Sequence, residues 1–447
     1  MIRSLFCLCH ALLFCAVPGF TQNPGLYFPS KTGTTWLGTA PASLGFCPER
    51  VDSLYQFLAD KHTKSFVLLQ DGRIVLEKYF GPYTQDSSWY WASAGKSLTA
   101  FLVGQAQDEG LLNIQTATSD YLGAGWTSGT PAQENAITLR HLLSMTSGLD
   151  DTPVTSVPDP NLCTNPACLQ YLTTPGTRWA YHSGPYRLLQ DVIAAASGGT
   201  INQFTKTRLL DRIGMKGFWF EDVQYGRARD MARFGLLVQN RGVWDGDTLL
   251  HDQPYFDDMI HPSQSLNQGY GYLWWLNGQP SFMLPGLQVV LPGKLIPNAP
   301  DDMISALGKN DQKIHVVPSK GWVVVRQGEA AGYTGSGGGQ VPIAFDNELW
   351  SYLNQLSCAP TATGEVVAGQ VQLFPNPTQG QLYWRGLPVG TNVRIRMYDT
   401  LGQLRVDQQA NDQHLDLGSF TEGLYLVQLF SAENTLLVSQ NVVVARR

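Results

Sequence analysis

A chain of 447 residues has room for about three domains, one of which can carry a core large enough for an enzyme site. Hydrophobic residues make up 43% and charged ones only 15%, below the roughly 25% of an average soluble domain, so turns and aromatic side chains must cover much of the surface. The formal net charge of -6 excludes the basic footprint of a nucleic-acid binder, and the apolar content excludes a disordered chain.

Arg3 precedes an apolar run from Leu5 to Val17 that stops at Pro18-Gly19, the pattern of a secretory signal peptide with cleavage near Phe20. The run is too short to span a bilayer, and no later stretch reads as a transmembrane segment. Cys7, Cys9 and Cys15 leave with residues 1–20, and Cys47, Cys163, Cys168 and Cys358 remain. An even number in an oxidising compartment points to disulfides. Of the three possible pairings, sequence separation favours Cys163 with Cys168, which leaves Cys47 with Cys358. No His stands at zinc-ligand spacing to either pair, and no metal or organic cofactor is expected.

Helical spacing predicts a helix from Pro48 to Lys61, with Val51, Leu54, Phe57 and Leu58 on one face. Strands at 65–69 and 74–79 flank Asp71-Gly72, a hairpin turn signal. Helices follow at Ala94–Asp108, Leu139–Met145, Pro185–Ala196, Ile201–Arg212 and Arg227–Asn240. Late strands fall at 313–317 and 322–326, and a last helix at Ile343–Leu356. Early strands, a helical middle and late strands imply one antiparallel sheet completed from both ends of the region. That topology brings the two terminal helices, and with them Cys47 and Cys358, together.

Ser93-Ala94-Gly95-Lys96 places a nucleophile and an amine three apart at a helix start, on one face and within mutual reach. A buried, neutral Lys96 can take the Ser93 proton. Downstream stand residues 137–149, Ile137-Thr138-Leu139-Arg140-His141-Leu142-Leu143-Ser144-Met145-Thr146-Ser147-Gly148-Leu149, and then Pro175-Gly176-Thr177-Arg178-Trp179-Ala180-Tyr181-His182-Ser183. With these motifs, residues 45–357 resemble the serine β-lactamase and penicillin-binding-protein superfamily, more closely its class C-like esterases and 6-aminohexanoate-dimer hydrolases.

The resemblance implies an α/β fold, an antiparallel sheet flanked by helices with a helical subdomain, and catalysis through an acyl-enzyme. It makes Ser93 the nucleophile, Lys96 its partner, and Tyr181 the general base and acid of a Tyr-x-Ser motif completed by Ser183. Lys96 is the cation expected to favour the Tyr181 phenolate. His182 reads as an incidental loop residue. The third motif of the superfamily is matched by Ala306-Leu307-Gly308-Lys309-Asn310-Asp311-Gln312, which resembles a Gly-His-Gly-Gly-Gln element. Lys309 is expected to hold positive charge opposite the nucleophile, and a following backbone N–H to complete an oxyanion hole with that of Ser93. A literal Lys31-Thr32-Gly33 precedes the first motif and is read as a decoy. Tyr270-Gly271-Tyr272-Leu273-Trp274-Trp275 reads as core before the third motif, and Ser336-Gly337-Gly338-Gly339 lacks the Lys of a phosphate loop and is assigned no ligand.

Residues 359–370 form a small, turn-prone linker. Beyond it, period-2 strands such as 393–398 and 424–429 predict a small all-β, Ig-like sandwich. Leu373-Phe374-Pro375-Asn376-Pro377, Met397-Tyr398-Asp399-Thr400-Leu401-Gly402-Gln403 and Gly423-Leu424-Tyr425-Leu426-Val427 give 371–447 a resemblance to the type A C-terminal sorting domain of the type IX secretion system. It implies that the secretion machinery is a partner and that the product is secreted or attached to the cell surface. The expected whole is a signal peptide (1–20), a hydrolase domain (21–358) acting on an ester or amide of a small or short peptide-like substrate, a linker and a sorting domain. The alternatives are a β-lactamase or D-alanyl-D-alanine peptidase, and a non-catalytic surface-binding protein on a hydrolase scaffold.

Overall fold

The computed structural model describes residues 25–152, 162–332, 343–358, 371–387, 391–410, 413–431 and 436–445; the expected signal segment, the linker and the 336–339 glycine run lie outside them. The expected hairpin turn forms where Asp71 and Gly72 adopt left-handed φ of 48° and 79°, the pair of positive values that a tight two-residue hairpin demands. It joins β1 (Thr63–Gln70) to β2 (Arg73–Tyr79). The chain later adds the short β3 (Trp89–Tyr90), β4 (Phe218–Phe220) and β5 (Val223–Gly226), then β6 (Trp275–Leu276), β7 (Ile304–Gly308), β8 (Gln312–Val317) and β9 (Trp322–Gly328).

One antiparallel sheet runs β2-β1-β9-β8-β7-β6. The late strand β9 therefore lies against the early β1, from Thr63 opposite Gly328 to Gln70 opposite Trp322, as the order of early and late strands implied. Strands β7, β8 and β9 are buried along their whole length, which explains near-continuous apolar runs such as Val323-Val324-Val325 in place of alternation.

Helices cover both faces. The main ones are α1 (Pro48–Asp60), α2 (Gly95–Asp108), α3 (Ser183–Ser197), α4 (Ala228–Gln239) and α5 (Ile343–Leu353). Ile314 and Val323 face α4, which approaches so closely that a Cβ on Gly235 would lie 2.4 Å from Val323 Cγ1. On the other face α1 and α5 pack together through stacked Phe57 and Phe345, 5.6 Å between ring centres. The helix expected over 201–212 is interrupted by a π-helical turn at Lys206–Leu210. The Tyr270–Trp275 stretch is core, but mostly irregular rather than strand.

Cys163 and Cys168 are bonded to each other, and Cys47 and Cys358 are both disulfide-bonded. The Cys47 N–H donates to the Leu356 carbonyl at 2.9 Å, so the start of α1 does meet the end of the α5 segment.

The face under α5 buries charge. Lys313 Nζ lies 2.7 Å from Asp346 Oδ2 and 3.4 Å from Asp311 Oδ1. His315 Nε2 sits 3.0 Å from Asp346 Oδ1, and its Nδ1 is 2.8 Å from Ser305 Oγ. This hydroxyl–imidazole–carboxylate series has no access to solvent to speak of, with Ser305 at 1% exposure and His315 and Asp346 at 0%, so it pins the sheet to α5 and does no chemistry. Burial works to raise the Asp346 carboxyl, but Lys313 and His315 more than offset it and hold it below the usual range.

The C-terminal strands form a separate unit, from Cys358 onward. Gln372–Phe374, Gln381–Arg385 and His414–Asp416 make one sheet; Leu404–Ala410, Val393–Tyr398, Gly423–Phe430 and Leu436–Val444 make the other. Alternate residues such as Val393, Ile395, Met397, Val427 and Leu429 fill its core, as the period-2 pattern predicted.

Removing the shared acid of the buried cluster takes from Lys313 its nearer carboxylate, at 2.7 Å, and leaves Asp311 at 3.4 Å. Asp346→Ala is therefore expected to lower unfolding free energy by about 3–5 kcal/mol in urea titrations; a loss below about 1 kcal/mol would show that the cluster is dispensable.

Candidate active site

Strand β3 pairs with β5, and the Trp91 N–H is fixed 2.8 Å from the Gln224 carbonyl. The chain then bends through Ala92, whose φ of 47° is uncommon for a residue with a side chain and marks local strain. A single 3-10 turn (Ala92–Ala94) follows, and α2 begins at Gly95. Ser93 is thus set on a sharp bend, half-buried and reachable, whereas α2 is buried on every side from Gly95 to Ala106.

Lys96 lies in that fully buried stretch at 3% exposure, and its Nζ donates to Ser93 Oγ at 2.9 Å. Among the described residues it has no carboxylate within ion-pair distance. It meets ring faces instead: Nζ is 4.2 Å from the Tyr186 ring centre and 5.0 Å from that of Tyr181. Burial, with a smaller push from Arg187, lowers its pKa to about 7.

Tyr181 is buried at 2% exposure in an aromatic box. Trp275 stacks on it at 5.7 Å, and Tyr270 and Trp179 pack at 6.2 and 6.4 Å. Its hydroxyl is hydrogen-bonded to Ser93, yet burial dominates and raises its pKa well above the usual phenol value. The expected phenolate is corrected accordingly: in this box Tyr181 rests as a neutral phenol, and Lys96 rather than Tyr181 is the group that titrates near neutrality.

Ser183 is buried at the first position of α3, on the turn that carries Tyr181. His182, also buried, has its pKa lowered to about 4 by burial, against the pull of Asp151 and Asp150. It is neutral at neutral pH, and the charges acting on it belong to the 150–178 stretch.

The third-motif segment is split by the structure. Strand β7 ends against the turn that carries Ser93: a Cβ on Gly308 would lie 2.4 Å from the Trp91 carbonyl oxygen and 3.0 Å from the Ala94 nitrogen, so only glycine fits. Asn310, at φ 59°, donates from Nδ2 to the Tyr90 hydroxyl at 2.6 Å and ties the following turn to β3. Lys309 is exposed on that turn, next to the Gly308 that meets the Trp91 carbonyl and the Ala94 nitrogen. Gln312 is fully buried and cannot line a substrate site: its Nε2 donates to the carbonyls of Gly328 (2.7 Å), Asn310 (2.9 Å) and Lys309 (3.3 Å), and its Oε1 accepts from the Gly328 N–H. It staples the turn to β9.

Lys31 of the early Lys-Thr-Gly pairs with Asp247 at 3.4 Å, in a strap whose Ser30 and Thr34 carbonyls accept from Arg233 and Arg229. Sequence reasoning missed Tyr186 and Asn310. Tyr186 carries a readable signal, since it stands one residue into the expected 185–196 helix, on the side that packs against α2. Among the described residues no group of three or more His, Cys, Asp or Glu is placed to hold a metal.

The family model described as Beta-lactamase matches residues 56–349, and that described as Secretion system C-terminal sorting domain matches 372–445. Penicillin-binding protein 4* of Bacillus subtilis is 26% identical over 188 residues, which span 37% of this chain and 40% of that protein. Among solved structures, a protein described as a 6-aminohexanoate-dimer hydrolase from Bacillus anthracis superposes with a TM-score of 0.55 at 18% identity, over 73% of this chain and 89% of that one. One described as a beta-lactamase from Bacteroides dorei also gives 0.55, at 17% identity, over 70% of this chain and 99% of that one. At such identities these structures speak for the fold alone. With two thirds of its length matched by the family model, the chain belongs to the beta-lactamase family and carries a secretion system C-terminal sorting domain.

Proposed function

We propose that this chain is a serine hydrolase, exported behind its signal peptide, that cleaves an ester or amide through an acyl-enzyme on Ser93. The observation that carries the reading is the 2.9 Å contact between Ser93 Oγ and a buried lysine whose pKa is about 7. A lysine near pKa 7 is neutral in a large fraction of molecules at neutral pH, and neutral Lys96 can take the Ser93 proton as the oxygen attacks a carbonyl. Tyr181, neutral and hydrogen-bonded to Ser93, is placed to pass a proton to the leaving group and to orient the water that later resolves the acyl-enzyme. Backbone N–H groups of Ser93 and of the turn after Gly308 hold the oxyanion.

The exposure of Lys309 favours neutral esters and amides over the carboxylate-bearing substrates of cell-wall peptidases, because water screens its charge. The sorting domain directs the product to the cell surface or beyond.

Incubation with a fluorophosphonate is expected to add one adduct to the native protein and none to Ser93→Ala, read by intact mass. A native protein that takes no adduct, and turns over neither p-nitrophenyl esters nor nitrocefin, would leave only the non-catalytic binding scaffold; cleavage of nitrocefin or of peptides ending in D-Ala with esters untouched would move the substrate class to the cell wall. For the active enzyme, kcat/KM should rise with pH through a midpoint near 7, as Lys96 loses its proton.

A depressed lysine pKa also penalises the folded state. Below about pH 7 the folded protein must hold a buried ammonium that the unfolded chain keeps in water, so the penalty is full there and fades as pH rises toward the ordinary lysine value. Lys96→Met is expected to abolish labelling and yet raise stability by a few kcal/mol at pH 6, with the gain shrinking as the pH of the melt is raised.

A further inference from the structure

A base that must shed its proton near neutrality is poorly served by a carboxylate neighbour, which would hold the proton on. A purely apolar pocket is no better, because it would give the ammonium nothing to hold it beside the nucleophile. Around Lys96 the structure has a third arrangement. The ammonium is 4.2 Å from the centre of the Tyr186 ring, the nearer of its two aromatic faces, and Tyr186 is itself 4% exposed and carried on the first turn of α3. A ring face attracts a cation through its quadrupole but has no site that competes for the proton.

We propose that Tyr186 is a positioning residue for the base: its ring face holds the Lys96 ammonium beside Ser93 in place of a carboxylate, and so sets the pH at which Ser93 becomes nucleophilic. The proposal rests on the hydrolase reading above. Among the described residues, the titratable and charged groups around Lys96 are Tyr181, Tyr186 and Arg187 on α3 and the turn before it, with Tyr270 behind the two tyrosines. Arg187 opposes the ammonium, but its own charge is matched by Asp222 at 2.5 Å. Neither tyrosine hydroxyl ionises in the neutral range, since burial raises both. That leaves the two ring faces as the attractive partners whose strength can be tuned without adding charge.

The test is the pH dependence of Ser93 labelling by a fluorophosphonate, in the full chain, with substitutions at position 186. Tyr186→Phe keeps the ring and should keep the midpoint. Tyr186→Leu removes the face that favours the charged form, so the Lys96 proton leaves more readily and the midpoint should fall by about one pH unit. Mono-, di- and trifluorinated phenylalanine at 186 preserve shape while draining the ring face, and should lower the midpoint stepwise even if the leucine variant folds poorly. The midpoint does not depend on the fraction of active protein, so a merely structural role would change amplitude alone. Labelling with an unmoved midpoint across the fluorinated series overturns the role of Tyr186 and leaves the hydrolase reading intact. Absence of labelling of native protein at every pH overturns both.

Discussion

The placement of Lys96 inside a helix that is buried on all sides constrains everything around it. An ammonium withdrawn from water is costly, and proteins usually meet that cost with a carboxylate. Doing so here would fix the proton on Lys96 and leave Ser93 an ordinary hydroxyl. The structure instead lets burial lower the lysine pKa to about 7, offers aromatic faces, and spends one hydrogen bond on Ser93 Oγ. The same aromatic box that dries Lys96 also raises Tyr181, so burial pushes the two groups apart: the lysine sheds its proton near neutrality and the phenol keeps its own.

Such a site needs rigid support, because a shift of an ångström would open it to water. Support comes from approaches that leave no room for a side chain. Strand β7 presses Gly308 against the Trp91 carbonyl and the Ala94 nitrogen, and the left-handed Ala92 holds the bend from which Ser93 projects. From behind, Gln312 and Arg326 bind the carbonyls of the 309–311 turn: Arg326 Nη1 donates to Asn310 and Asp311 at 2.8 and 3.1 Å, at the edge of a sheet whose three late strands are wholly buried. The strain at Ala92, beside Ser93, is thus carried by fully buried strands.

The parts legible in the sequence are those set by short-range pattern. The Asp71-Gly72 hairpin, the continuous apolar β8 and β9 and the alternating C-terminal strands follow from turn chemistry and periodicity, and Ser93 with Lys96 follows from helix geometry. The setting of Lys309, the consumed amide of Gln312 and the charge state of Tyr181 are not legible there, because they depend on what lies across the fold. Whether a lysine on a turn points to solvent, or a glutamine amide is consumed by three carbonyls, is decided by residues far away in sequence, such as Gly328. The protonation of Tyr181 likewise depends on Trp275 and Tyr270, about ninety residues downstream, whose packing no local motif announces.

Two buried lysines, Lys96 and Lys313, show how surroundings separate identical side chains. Lys313 is fully buried on the face under α5, with Asp346 at 2.7 Å and Asp311 at 3.4 Å, and the imidazole of His315 shares the same acid. Its charge is matched and it serves to join β8 to α5. Lys96 is as deeply buried, but its neighbours are a hydroxyl and two rings. Exchanging these surroundings would disarm the site and unsettle the sheet, since a carboxylate beside Lys96 would hold its proton and an unmatched Lys313 would leave a charge in the core. Sequence spacing alone cannot separate the two residues; the presence or absence of an acid across the packing interface does.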